Sequence, residues 1–279
     1  MINLAAVAIG IYAALLGGLF LAQRQLIYFP SQHLASPAEA GMPEIQTLRV
    51  TTGDGLTLTF WYRPAGKGRP TLVYFHGNGG NLSGRGFKVR PYLDAGFGVL
   101  LAAYRGYGGN PGKPSETGLY ADARAQLNFL KSQGVEPRNW VLYGESLGSG
   151  VAVQMAYEQA GAGPQGGSPD PVGGVVLEAP FSSLADAAQA HYPYVPARLL
   201  VRDRYDSMAK IDRIGAPIFI FQGEEDGVIS SKQGKRLFQA AREPKQAKWV
   251  PGAGHNNLYE FGVAGLVIEF VNKTHSAKH

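Results

Sequence analysis

Apolar and polar positions follow three different patterns along this chain. Residues 4–22 contain no charged side chain and are apolar all round. As a helix rising about 1.5 Å per residue, that run spans roughly 28 Å, close to the apolar thickness of a bilayer. Residues 45–50 and 56–63 are β-rich runs separated by Thr-Thr-Gly-Asp-Gly, a hairpin signal that predicts an antiparallel edge. From residue 71 onward, near-continuous apolar blocks at 71–75, 98–104, 140–143, 174–177 and 217–221 resemble strands buried on both faces. Between the second and third blocks, Leu119, Ala123, Leu127 and Leu130 recur at helical spacing. Strands alternating with helices predict an α/β fold, a mostly parallel sheet flanked by helices, in one domain over residues 44–273.

The segments outside this alternation have their own signatures. Residues 1–30 read as a membrane anchor with its juxtamembrane end. A cleaved signal peptide and a buried core helix are the competing expectations, but no Lys or Arg precedes the apolar run, a cut after Ala22 would put bulky Phe20 where a small residue is wanted, and the run has no polar stripe. A retained single-pass helix would place Tyr28 and Phe29 at the interface, and Arg24 on the domain side weakly favours a cytoplasmic domain. Residues 31–43 read as a linker and 274–279 as a tail. Residues 161–174, rich in Gly and Pro, predict a mobile surface loop. Residues 181–215, which include His191, Tyr192, Pro193, Tyr194 and Pro196, exceed an ordinary connection and predict a short cap over the site.

Composition then narrows the chemistry. With 279 residues the chain can bury a large core, and a formal charge of +5 with scattered Lys and Arg does not make a nucleic-acid surface. No Cys is present, which removes disulfides, thiolate nucleophiles and Cys-based zinc sites.

Gly144-Glu-Ser146-Leu-Gly148 fits G-x-S-x-G, a weak pattern by itself in a chain with 38 Gly. Its context strengthens it: the pentapeptide follows the apolar block 140–143 and precedes a helical stretch, the strand–turn–helix that exposes a nucleophilic serine. The base must then follow the acid in the order Ser, Asp/Glu, His. Of six histidines, His33 and His76 precede the serine, His191 lies in the expected cap, and His275 and His279 belong to the tail. His255, in a turn before the closing helix, remains. Gln222-Gly-Glu-Glu-Asp226 follows the last strong strand, and Asp226 is preferred as the acid, with Glu224, Glu225 and Glu178 as alternatives. Two backbone amides should receive the developing oxyanion, one from Leu147 and one from the Gly-rich turn 76–81, with Asn78 first. His76 is expected to shape that turn rather than to transfer protons.

His76-Gly-Asn-Gly-Gly-Asn81, Tyr104-Arg-Gly-Tyr-Gly108, Glu178-Ala-Pro-Phe-Ser182, Gly223-Glu-Glu-Asp226 and Gly254-His-Asn256 join the serine pentapeptide in order and spacing. Together they resemble the BEM46/ABHD13-like branch of the α/β-hydrolase superfamily, which also includes ABHD17-like protein depalmitoylases. The resemblance implies the α/β-hydrolase fold, ester or thioester hydrolysis without a cofactor, and frequently an N-terminal membrane anchor. It also favours Asp226 over its neighbours. Gln222 stands where many relatives have His, a departure expected to leave the triad untouched, and the 161–174 loop looks like an insertion.

The expected activity is therefore hydrolysis of carboxylic esters or thioesters through Ser146, His255 and Asp226, without metal. Small-molecule or lipid-linked acyl esters, or acylated proteins, are the expected substrates. A serine peptidase or an acyltransferase would use the same residues, and an inactive hydrolase fold would serve as a membrane interaction protein.

Overall fold

The five apolar blocks form the parallel centre of one eight-stranded sheet in the computed structural model, which describes residues 3–163 and 168–276. Helix α1 (Leu4–Ile27) leads into β1 (Phe29–Pro30), then the antiparallel pair β2 (Gln46–Thr51) and β3 (Thr57–Arg63). Next come β4 (Thr71–Phe75), β5 (Gly79–Gly80), α2 (Gly86–Asp94), β6 (Gly98–Ala102) and α3 (Glu116–Ser132). They are followed by β7 (Trp140–Glu145), α4 (Leu147–Gln159), β8 (Gly174–Glu178), α5 (Leu184–His191) and α6 (Ala197–Leu200). The chain closes with β9 (Ile218–Gly223), α7 (Ser231–Ala240), β10 (Lys245–Val250) and α8 (Val263–Ser276).

Strand order is β10-β9-β8-β7-β4-β6-β3-β2, with only β3 running against the rest. Every residue of β4, β6 and β8 is buried, which explains their near-continuous apolar sequence, broken only by Thr71 at the start of β4 and Glu178 at the end of β8. Helix α3 starts where the Ser115 side chain accepts the Gly118 N–H, and it buries Leu119, Ala123, Leu127 and Leu130 as their spacing predicts. After β4 the chain adds β6 on one side, then crosses back to add β7 on the other. This reversal opens a crevice at the carboxyl ends of β4 and β7, where open α/β sheets bind ligands.

Several expectations are corrected. Residues 31–43 hold no helix or strand, yet they are part of the wall of the domain rather than a free linker: Met42 is fully buried, and Asn81 Nδ2 donates to His33 O at 2.6 Å. Helix α8 extends through Ser276, so the first tail residues are helical, whereas 277–279 lie outside the described residues. Residues 164–167 of the expected surface loop also lie outside them; on either side, Asp170 N donates to Gln159 O and Gly173 N to Pro137 O. Residues 181–215 form α5, α6 and the short turn Ile211–Arg213. Arg24, whose charge favoured a cytoplasmic domain, is bonded twice to Asp203 (2.9 and 3.1 Å). Its charge is neutralised within the protein and carries little topological weight.

Candidate active site

Strand β7 ends one residue before Ser146 and α4 begins one residue after it, so the serine occupies the sharp turn itself. Its backbone is left-handed (φ 49°, ψ −112°), a conformation that costs about 1–3 kcal/mol and is held by Ser146 N donating to Glu178 O at 2.9 Å. The flanking glycines follow from close approach. A Cβ on Gly148 would lie 2.0 Å from Phe75 O, and one on Gly144 would lie 2.5 Å from Gly148 O. The spacing of the pentapeptide is thus the footprint of helix α4 pressed against β4 and β7.

His255 arrives in the loop after β10. That loop touches the end of β9 so closely that a Cβ on Gly223 would sit 2.1 Å from Ala253 O. His255 Nε2 lies 3.0 Å from Ser146 Oγ, and Nδ1 lies 2.8 Å from Asp226 Oδ2. In the neutral tautomer that this arrangement favours, the Nδ1 proton is donated to the carboxylate and Nε2 accepts from the serine hydroxyl. Asp226 Oδ1 accepts from Val228 N at 2.9 Å and Ile229 N at 2.8 Å. Burial pushes the Asp226 pKa up, but the bond to His255 and the two amides outweigh it and hold the carboxyl below its usual range. Of the alternative acids, Glu224 and Glu225 are exposed, while Glu178 is buried against Lys88.

Leu147 is the first residue of α4 and Asn78 follows Gly77, whose Cβ position would lie 3.6 Å from Ser146 Cβ. Neither the Leu147 nor the Asn78 amide donates to a protein acceptor among the described residues. The turn that carries Asn78 is held on several sides. Asn78 O accepts from Phe29 N (2.9 Å) and Tyr107 Oη (2.7 Å), Asn78 Nδ2 donates to Ile27 O (2.9 Å), and β5 pairs with β1. His76 is fully buried against Tyr104 and Tyr107, and its Nδ1 donates to Gly77 O at 2.7 Å. Burial, reinforced by Arg85, pushes its pKa down to about 3, so it stays neutral and braces the turn.

Sequence reasoning missed two sets of residues. Gln222 does touch Asp226, since its Nε2 donates to Ile229 O (2.6 Å) and lies 3.4 Å from Asp226 Oδ2. Beneath the elbow is a buried ionic cluster: Lys88 Nζ bonds Glu178 (2.7 Å) and Glu145 (3.1 Å), and Arg85 Nε bonds Glu145 (2.8 Å). Tyr74 Oη donates to Glu145 and Tyr143 Oη to Glu178. Burial opposes the charge on Glu145, but Lys88 and Arg85 prevail and hold its pKa down to about 2. Arg85 also donates to Gly79 O at 3.0 Å, linking the cluster to the Asn78 turn. The alternation of Arg85, Lys88 and Arg90 with apolar residues around α2 gives no sign that two of these cations point inward.

A cavity of about 400 Å³ lies at the opposite end of the sheet, between the start of β9, the start of β10 and Ala160. It is remote from Ser146 and offers no nucleophile. Among the described residues, no cluster of His, Cys, Asp or Glu could hold a metal ion.

Comparison with known proteins agrees with this architecture. The α/β-hydrolase fold family matches residues 70–207, which include Ser146 but end before Asp226 and His255. An uncharacterised protein of Mycobacterium tuberculosis is 40% identical over 238 residues, covering 84% of this chain and 81% of the relative. Human α/β hydrolase domain-containing protein 17B is 31% identical over 221 residues, covering 77% and 69% respectively. Among solved structures, an esterase of Pyrococcus furiosus superposes with a TM-score of 0.67 at 18% identity, covering 88% of this chain and 98% of that one, a likeness of fold. The chain belongs to the α/β-hydrolase family, on the branch that contains the α/β hydrolase domain-containing proteins.

Proposed function

We propose that this hydrolase cleaves carboxylic ester or thioester bonds through an acyl-enzyme on Ser146. His255 removes the serine proton as the hydroxyl attacks the acyl carbonyl, and Asp226 stabilises the imidazolium that forms. The amides of Leu147 and Asn78 receive the oxyanion, with the N-terminus of α4 favouring the negative charge. His255 then protonates the departing alcohol or thiol, and water repeats the cycle on the acyl-enzyme. Helix α1 is apolar and long enough to cross a membrane, so we assign it as the anchor and lipid-linked acyl groups as the substrate class.

The observation that carries this reading is the unbroken chain from Ser146 Oγ through both nitrogens of His255 to a buried carboxylate. Its test is Ser146→Ala, expected to abolish fluorophosphonate labelling and to lower p-nitrophenyl ester turnover about 10⁴-fold or more. Labelling that persists in the variant would remove Ser146 from the mechanism.

A further inference from the structure

Helix α1 does not stand clear of the domain. Tyr12 Oη donates to Tyr194 O at 2.5 Å, the Arg202 guanidinium lies 5.6 Å from the Phe20 ring, and Gln23 bonds both Leu200 O and Arg202 N. Arg24 then pairs with Asp203. The cap segment 194–203 therefore runs beside the helix from Tyr12 to Arg24, a rise of about 18 Å. Only residues 4–11 extend past the last contact, about 12 Å of helix against an apolar thickness of about 30 Å. A helix that crosses a bilayer in this arrangement takes the edge of the cap in with it.

The cap tip has the chemistry for that environment. Tyr192, Tyr194 and Leu199 are 64%, 89% and 84% exposed, Tyr194 meets Tyr12 of α1, and Ile11, Tyr12 and Leu15 on that helix are exposed as well. Arg198 is bonded to Asp186 at 2.7 Å, while Arg202 sits at the base of the tip, beside Phe20, where a headgroup phosphate would meet it. The tip also borders the proposed site. His191, at the end of α5, bonds Val228 O at 2.6 Å, and Val228 N donates to Asp226.

We propose that the cap tip, residues 192–199, inserts into the phospholipid bilayer beside helix α1, so that acyl substrates reach Ser146 directly from the leaflet. The inference rests on α1 being membrane-inserted, and the experiment separates the two. Because the chain has no Cys, single substitutions give unique labelling sites. Nitroxides are placed in the full-length protein at Leu15→Cys, Tyr194→Cys, Leu199→Cys and, as a control on exposed β10, Gln246→Cys, and the protein is reconstituted in phosphatidylcholine vesicles. Positions 15, 194 and 199 should collide with oxygen in preference to a water-soluble nickel chelate, and position 246 should show the reverse. Nickel access at 194 and 199 with position 15 in lipid overturns the inference and leaves the anchor standing; nickel access at all three removes both. Dipolar broadening between labels at 194 or 199, with neither oxygen nor nickel access, means that a second copy covers the tip and also overturns it.

A kinetic arm tests the route of the substrate. Tyr192→Asp, Tyr194→Asp and Leu199→Asp together should raise KM for a long-chain acyl ester in vesicles about tenfold or more. Turnover of a soluble short-chain ester should remain within about twofold, which also shows that the variant is folded. An unchanged vesicle KM would overturn entry from the leaflet. If the wild type cleaves neither ester, the proposed function fails while the labels still decide the membrane contact.

Discussion

Two buried carboxylates stand at the carboxyl ends of neighbouring strands, Asp226 after β9 and Glu178 at the end of β8. Each takes a strong charge-assisted or hydroxyl hydrogen bond, Asp226 from His255 and Glu178 from Lys88 and Tyr143. What separates them is the partner. His255 has a second nitrogen that lies on Ser146 Oγ, whereas Lys88 bridges two carboxylates and reaches no nucleophile. On the mechanism we propose, a carboxylate joins the proton relay through what it faces, not through burial or strand position. Glu178 instead anchors the ionic cluster beneath the turn that carries Ser146.

The sharpest way to break that comparison is Asp226→Asn, which preserves shape but favours the wrong histidine tautomer. It should lower kcat about 10³- to 10⁴-fold with little change in Tm, while Glu178→Gln should cost kcat less than about tenfold. Equal kcat losses would erase the distinction. Lys88→Met probes that ionic cluster: two buried carboxylates lose their shared cation, and stability should fall by about 3–5 kcal/mol in chemical denaturation. A smaller effect is readable by titration. The folded-state pKa of His76 is depressed from 6.5 to about 3, so the unfolded chain binds its proton first and stability declines as pH falls below about 6.5. The difference in stability between wild type and His76→Phe should therefore shrink between pH 6.5 and 4.5, by on the order of 1.4 kcal/mol per unit at most. Gln222→Ala, which removes a neighbour of the acid and not the acid, should lower kcat about tenfold or less; a loss as large as that of Asp226→Asn would make Gln222 as essential as the acid.

The sheet was legible because strands buried on both faces are near-continuous apolar runs, as 72–75 and 174–177 are. The elbow was legible because the close approach of α4 to β7 forces glycine at 144 and its approach to β4 forces glycine at 148. His255 came from the count of histidines and chain order. Lys88 was hidden because helix amphipathicity assigns charged residues outward, and its inward turn exists only once Glu145 and Glu178 are brought beneath it. Gln222 was hidden for a related reason: its effect on Asp226 depends on a tight loop four residues long, not on its own residue type. The packing of residues 31–43 was obscured by their Pro and Ala content, which says nothing about whether a segment lies on a surface or in a groove.

The last turn of α1 has a consequence for how this protein could be processed. Proteolysis between Ala22 and Gln23 would remove the apolar rod yet leave Arg24 on Asp203, Tyr28 on Tyr205 and the Ile27 carbonyl on Asn78. Proteolysis a few residues later, after Tyr28, would strip the Asn78 turn of that carbonyl and leave Asp203 without its cation. Shedding an intact domain and crippling it are thus separated by a stretch of six residues, from Gln23 to Tyr28.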